Sequence, residues 1–449
     1  MSQPYTVKNG NEALTSHGGL ALIGALLNNR TNLKERLNNV TLSGCLSPII
    51  SHSDIVFSMT GLISLAKPDY DAIEPFREDD FFKNSLSLDA CPSSPAMRQR
   101  LDLVNGDFNT IIKEESALLI RNTAREITPI MTAKGPLIPL DVDVSPFDNS
   151  KTHKEGVSRT YKGHDGFAPN FAYLGQEGFL VNVELREGKQ HCQNGTPEFL
   201  REAITYCKKI TFQPLLVRLD SGNDSVYNIQ IFIENKVDFI IKRNLRRESI
   251  ENWLEVAKEK GQAHTPRPGK TVYQGSVYRQ LPDIEDPVRI VFEITERTID
   301  KNGQTLLVPD IEIDTYWVSL PDSESQVIEL YHDHGTSEQY HSELKTDMDL
   351  ERFPSKYFET NSLILTIGML SYNMLRLCGQ ESLQSINLDQ RPKFRKAVSR
   401  RRIRTVIQDL IYLAGRVTSH SKQLYLSFGR YCHWSDVWQN IYERFLVPT

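Results

Sequence analysis

Residues 136–144 read Pro-Leu-Ile-Pro-Leu-Asp-Val-Asp-Val, an apolar, β-branched run that places two aspartates at its far end. The run predicts a strand. Downstream, residues 171–174 and 179–185 are apolar and flank Gly175-Gln176-Glu177-Gly178, which reads as a hairpin. Residues 197–209 have helical spacing. Residues 214–220 (Pro-Leu-Leu-Val-Arg-Leu-Asp) form a short strand that stops at Ser221-Gly222. A helix over 226–235 and a strand over 237–242 complete the order β-β-β-α-β-α-β, a mixed sheet with helices packed on it.

Outside this block the pattern changes. Residues 243–325 carry strand-like stretches at 273–279, 288–295, 306–308 and 314–319, which suggests a β-rich insertion. Residues 16–130 read mainly helical. Ser94 is placed to cap a helix and Pro95 suits its first position. A short helix over 79–86, joined through Cys91-Pro92-Ser93, makes this a candidate helix-turn-helix, with Arg98 and Arg100 free to meet DNA. Helical spacing returns near Val327 and continues at intervals to Tyr442. The expected organisation is a helical region over 1–130 that binds DNA ends and a core over 131–242. The insertion over 243–325 follows, then the rest of the core over 326–380 and a basic helical region over 381–449.

The chain has 449 residues, long enough for about three domains. Lys and Arg total 52 against 57 Asp and Glu, so the net charge of −5 excludes a generally basic nucleic-acid coat and leaves only local patches. One such patch is residues 391–404, with eight Lys or Arg and no acid, among them Arg400, Arg401 and Arg402; another is residues 242–247. These runs could neutralise phosphates. The six cysteines make no Cys-x2-Cys pair, which argues against a zinc knuckle or a dithiol motif and for free thiols in a reducing compartment. Residues 20–27 are too short to span a bilayer, and residues 363–375 are interrupted by Ser371 and Asn373 before Arg376. The expectation is a cytoplasmic protein without membrane contact.

Asp143 and Asp220 both end strands at one edge of the predicted sheet, a rigid place from which acids can grip a metal. Strand alternation puts Asp141 on the same face as Asp143, where it could assist. Further on, Tyr331, His334, Glu338 and Lys345 are spaced so that a continuous helix would carry them on one stripe. Offsets of 3, 7 and 14 residues fall at about −60°, −20° and −40° from Tyr331. A phenol, an imidazole, a carboxylate and an ammonium in a row suit a site for a cation and phosphate oxygens. A solvated helix face is the plain alternative.

The spacing Tyr331-x2-His334-x3-Glu338-x6-Lys345 resembles the Tyr-x2-Arg-x3-Glu-x6-Lys signature of bacterial DDE insertion-sequence transposases, and the likeness continues through Asp347-Met348-Asp349-Leu350-Glu351-Arg352 and residues 361–376. Leu-Asp-Val-Asp-Val-Ser and Val-Arg-Leu-Asp-Ser-Gly resemble the first and second Asp motifs of that group. Gly-Gly-Leu-Ala-Leu-Ile-Gly-Ala-Leu-Leu, Phe-Arg-Glu-Asp-Asp-Phe-Phe and Ser-Ser-Pro-Ala-Met-Arg-Gln-Arg-Leu-Asp resemble the thirteen-eighty insertion-sequence family. His334 departs from the group by standing where Arg is usual.

The resemblance implies an RNase H-like catalytic core, interrupted by the β-rich insertion and preceded by an α-helical DNA-binding region. It implies Asp143, Asp220 and Glu338 as a catalytic, metal-binding triad. Two Mg2+ ions are expected, with Mn2+ as a substitute, because this hard cation takes oxygen ligands. Tyr331, His334 and Lys345 would hold phosphate oxygens, and Trp317 is a candidate for stacking on an unpaired base. The partners implied are double-stranded DNA, as the element's terminal inverted repeats and as target, and a second copy when two ends are paired. The localisation implied is cytoplasmic, on the nucleoid when bound to DNA. Two rival readings are a transposase-derived DNA-binding protein without catalysis and a nuclease that cuts without joining.

Overall fold

The structure, a computed structural model, describes residues 5–42, 49–104, 106–384, 398–421 and 423–447. The chain divides into two compact units, one formed by Ala124–Ser342 and the other by Met1–Thr123 with Glu343–Thr449.

The unit over Ala124–Ser342 is built on a ten-stranded mixed sheet. Its strands are β1 (Ile130–Thr132), β2 (Gly135–Val144), β3 (Asn170–Leu174), β4 (Phe179–Glu184), β5 (Leu215–Leu219), β6 (Asp238–Lys242), β7 (Gln262–Arg267), β8 (Lys270–Arg279), β9 (Val288–Ile299) and β10 (Thr305–Val318). They lie in the order β7-β8-β9-β10-β6-β5-β2-β3-β4, with β1 paired to β2. β2, β5 and β6 run parallel to one another, and the other pairings are antiparallel. β2 is central, and Leu137 to Val142 are buried along it. That burial explains the near-continuous apolar run. Five helices belong to this unit: α1 (Thr196–Ile210), α2 (Val226–Asn235), α3 (Ile250–Lys260), α4 (Glu324–His332) and α5 (Ser337–Ser342). α1 buries Phe199, Leu200, Ala203, Ile204 and Cys207, a stripe at helical spacing. Ser225, five residues after Asp220, caps α2 by accepting from the Tyr227 amide.

The strands expected to make a separate insertion instead extend this one sheet. β10 pairs with β6, matching Ile240 with Val318 and Ile241 with Trp317. The stretches expected at 306–308 and 314–319 are also parts of a single strand, which ends at Val318. A register shift opposite Arg297 and Ile299 interrupts the ladder near Pro309-Asp310, and that dipeptide reads as a turn in the sequence.

In the other unit, helix Phe358–Leu383 is buried almost throughout and is packed by helices Leu20–Arg30, His52–Ser64, Ser94–Leu103, Asp107–Thr123 and Ser435–Leu446. It is the one helix among the described residues with the length and apolarity to cross a membrane. Two corrections apply here. The residue that caps Ser94–Leu103 is Ser93, which accepts from the Ala96 amide. Helix Asp80–Ser85 packs on Leu20–Arg30, whereas Ser94–Leu103 packs on the 3-10 turn Tyr70–Phe76, on His52–Ser64 and on Phe358–Leu383. The two members of the predicted helix-turn-helix thus serve different neighbours. The C-terminal region is also not purely helical. Gly415–His420 and Gln423–Phe428 form a hairpin whose first strand pairs with Leu14–Thr15, as the alternation of Leu424, Leu426 and Phe428 favours. Half of the basic run, residues 391–397, and Cys45 lie outside the described residues.

Candidate active site

The parallel register of β2 on β5 matches Val142 with Leu219, so Asp143 and Asp220 occupy the next step at neighbouring strand ends. Asp143 accepts from its own neighbour's amide, Val144, at 2.8 Å, and its Oδ2 lies 3.1 Å from His341 Nε2. Burial opposes ionisation of Asp143, but His341 and His334 outweigh it and hold the carboxyl below the usual carboxylate range. Asp220 accepts from Asn223 Nδ2 at 2.8 Å. Burial pushes its carboxyl up, and the adjacent charge of Asp143 adds to the rise. Among the described residues, no lysine or arginine forms an ion pair with either aspartate.

One step back along the strands, Asp141 faces Arg218 in the register. Arg218 donates from Nε and Nη2 to the two carboxylate oxygens at 2.6 and 2.7 Å, and from Nη1 to the Leu330 carbonyl at 2.6 Å. His334 Nδ1 lies 3.0 Å from Asp141 Oδ1. Burial would lower the imidazole pKa, but Asp141 overcomes it and raises it. Asp141 does share a face with Asp143, as alternation requires, but its oxygens are already engaged by a bidentate guanidinium.

The expected single helical stripe is broken into pieces. α4 ends at His332, Asp333–Thr336 form a 3-10 turn, α5 covers Ser337–Ser342 and a π-helical turn spans Glu343–Asp347. Gly335, a poor helix former, sits in the 3-10 turn. Tyr331 remains beside the site. Its ring packs on Tyr316, and burial together with Asp220 and Asp143 raises its hydroxyl pKa. Glu338 is exposed on α5. It lies four residues after His334 and three before His341, both of which touch the β2 carboxylates. Among the described residues, no three carboxylate, imidazole or thiol groups are gathered in the geometry of a metal site. Lys345 is half-buried and belongs to the other unit.

The remaining expected DNA contacts sit mostly in internal pairs. Trp317 is buried, donates to Asp224 at 2.9 Å and has the Arg243 guanidinium over its face, so no open ring face is left for a base. Arg400 donates twice to Glu343 at 2.8 Å, buried Arg401 pairs with Asp409 and lies over Trp434, and Arg402 pairs with Asp347 at 2.7 Å. Arg98 is exposed over the Tyr70 ring, and Arg100 donates to the Ile50 carbonyl at 3.1 Å.

Besides Asn223, the neighbours Arg218, His341 and Tyr161 were not singled out from the sequence. Arg218 was signalled by a charge inside an otherwise apolar strand. His341 was signalled only by its place one turn after Glu338. Tyr161 is 69% exposed as a residue, but its hydroxyl donates to the Val144 carbonyl at 3.1 Å, and local desolvation there together with the charges of Asp143 and Asp220 raises its pKa. It lies on a loop with no periodic signal.

Two aspartates thus stand at adjacent ends of parallel strands, with the His341 imidazole and the Tyr331 and Tyr161 phenols beside them. The family model described as transposase DDE domain group 1 matches residues 3–446, and the chain belongs to that family of DDE transposases. No curated protein matches the chain. A structure titled as the cryo-EM structure of piggyBac transposase synaptic complex with hairpin DNA is similar at 12% identity, over 90% of this chain and 82% of that one, with a TM-score of 0.43.

Proposed function

We propose that this chain is an insertion-sequence transposase that cuts DNA at the element's terminal inverted repeats and joins the freed ends to a target. The observation that carries the reading is the placement of Asp143 and Asp220 at adjacent ends of parallel strands in a DDE-family chain. The strand order β4-β3-β2-β5-β6, with a hairpin followed by parallel strands, supports an RNase H-like core.

The donor set suits a hard divalent cation. Asp220 is half-buried, desolvation and then the charge of neighbouring Asp143 raise its pKa, and the two carboxylates carry oxygen donors alone. Asp143, Asp220 and Glu338 would hold Mg2+, or Mn2+ in its place, and the bound ions supply Lewis-acid stabilisation to the attacking and leaving oxygens of an in-line displacement. Arg218 and His334 neutralise Asp141 below the site, which leaves Asp143 and Asp220 as the carboxylates at the strand ends. Tyr331 and the exposed ring of Tyr161 stand beside those carboxylates, where a phosphodiester and its base would lie. Lys345 is proposed as a phosphate contact, and a pair of chains as the unit that brings two ends together.

The test is cleavage of a DNA carrying the repeats that flank the coding segment, with and without Mg2+. Asp143→Asn, Asp220→Asn and Glu338→Gln are each expected to lower cleavage by about a thousandfold or more while leaving DNA binding intact. Full activity in one of them removes that residue from the triad. Cut ends without joined product would mark a nuclease, and binding without Mg2+-dependent cutting a DNA-binding protein.

A further inference from the structure

We propose that Tyr173 and His341 form a positioning relay that sets the orientation of the Asp143 carboxylate and fixes α5 to it. The proposal rests on the reading of Asp143 as a cation ligand. Both ring nitrogens of His341 are engaged at hydrogen-bonding distance, Nε2 with Asp143 Oδ2 at 3.1 Å and Nδ1 with Tyr173 Oη at 3.1 Å. A carboxylate only accepts, so the proton facing Asp143 belongs to Nε2. The Tyr173 hydroxyl then donates to Nδ1 and selects that tautomer.

The ring has little freedom to turn. It is buried, and the rings of Phe171 and Tyr173 pack on it with centroids 5.1 and 5.4 Å away. Those two residues come from β3, whose register sets Phe171 opposite Asp143 and Tyr173 opposite Asp141. The relay therefore joins β2, β3 and α5. The next residue toward the N-terminus, Tyr340, donates to the Gln176 carbonyl in the β3–β4 turn at 3.1 Å and secures the same helix. Glu338 lies one turn earlier on α5. One imidazole thus ties the strand that bears Asp143 to the helix that bears Glu338.

The arrangement leaves Asp143 able to bind. Oδ1 accepts from the Val144 amide and Oδ2 from His341, so each oxygen retains a second lone pair. A donor that orients a metal-binding carboxylate is worth roughly 10–100-fold in metal affinity.

The experiment measures Mn2+ binding to the full chain by electron paramagnetic resonance of the free ion, without DNA, alongside circular dichroism to check folding. His341→Ala is expected to weaken Mn2+ binding by about 10–100-fold. His341→Gln, whose Nε2 can donate from nearly the same place, should stay within about threefold of wild type, and Tyr173→Phe should fall between the two. A folded His341→Ala chain with wild-type affinity overturns the proposal, and so does His341→Gln as weak as the alanine variant. Should the alanine variant fail to fold, Tyr173→Phe decides, because it keeps the ring and removes only the hydroxyl; wild-type affinity there overturns the relay. A wild-type chain that binds no Mn2+, or an Asp143→Asn chain that binds it as well as wild type, sinks the ligand reading itself.

Discussion

Replacing Arg218 by Met would leave one charge buried without its partner. Asp141 and Arg218 are both almost wholly buried, and the pair is bidentate at 2.6 and 2.7 Å. Breaking such a pair from one side costs about 3–5 kcal/mol, because the remaining carboxylate keeps its desolvation penalty. The Leu330 carbonyl also loses its donor, which adds about 1 kcal/mol. His334 still faces Asp141 and recovers part of this, so a net loss of about 3–5 kcal/mol is expected. The assay is hydrogen exchange by mass spectrometry on peptides from β2 and β5, which reports on this unit separately from the other. At 1.36 kcal/mol per decade, exchange should quicken by a few hundredfold to a few thousandfold. The double variant Asp141→Leu with Arg218→Met removes both charges and should recover most of the loss. Acceleration below about tenfold in Arg218→Met would refute the reasoning, because the carboxylate would then be held by something other than the guanidinium.

Gly178 has φ of +69°, and a Cβ there would lie 2.4 Å from the Tyr340 ring. Gly178→Ala should therefore cost about 1–3 kcal/mol, read as a lower urea midpoint; an unchanged midpoint would mean that Tyr340 does not seat against this turn. Burial opposes ionisation of Glu248, yet hydrogen bonds from Arg279 and Trp253 and the charge of Arg243 draw its carboxyl down to about 2. Its folded value lies below the ordinary 4.5, so its contribution is present above about pH 4.5 and is lost as pH falls toward 2. The stability gap between wild type and Glu248→Gln should close over that window, and a gap independent of pH would refute the assignment. In EDTA at pH 7, Asp220→Asn should raise the unfolding midpoint by removing a desolvated like charge beside Asp143, and Glu338→Gln should leave it unchanged. A destabilised Asp220→Asn chain would show that its hydrogen bond from Asn223 outweighs the repulsion.

The sheet was legible because its strands are short apolar runs closed by polar turns. Residues 136–144, 171–185 and 214–220 fold as read, and the helix over 226–235 matches to the residue. The continuation of the sheet into β8, β9 and β10 was not legible, since edge pairing depends on which strand lies beside β6 and no local pattern records it. The stripe of Tyr331, His334, Glu338 and Lys345 failed as geometry for a related reason. A 100° projection assumes an unbroken helix, and the chain changes to 3-10 geometry at Asp333 and to a π turn at Glu343. Charge was the hardest feature to read. Arg243, Arg400, Arg401 and Arg402 look like a phosphate-binding surface in the sequence, yet each is matched by an acid distant enough in the chain to escape notice or by one a few residues away.

The broken helix also bears on how the site tolerates its own charge. Asp143 and Asp220 already sit close enough for one to raise the pKa of the other, and a third carboxylate buried with them would deepen that penalty in the absence of a cation. A continuous helix would turn Glu338 rigidly with Tyr331 and His334. The 3-10 turn at Asp333–Thr336 instead lets His334 descend onto Asp141 while Glu338 stays in solvent one turn away from His341. The two imidazoles supply the contacts to the strand, and the carboxylate between them keeps its hydration. His334 and His341 thus meet the β2 carboxylates while Glu338, which lies between them in the chain at the start of α5, stays exposed to solvent.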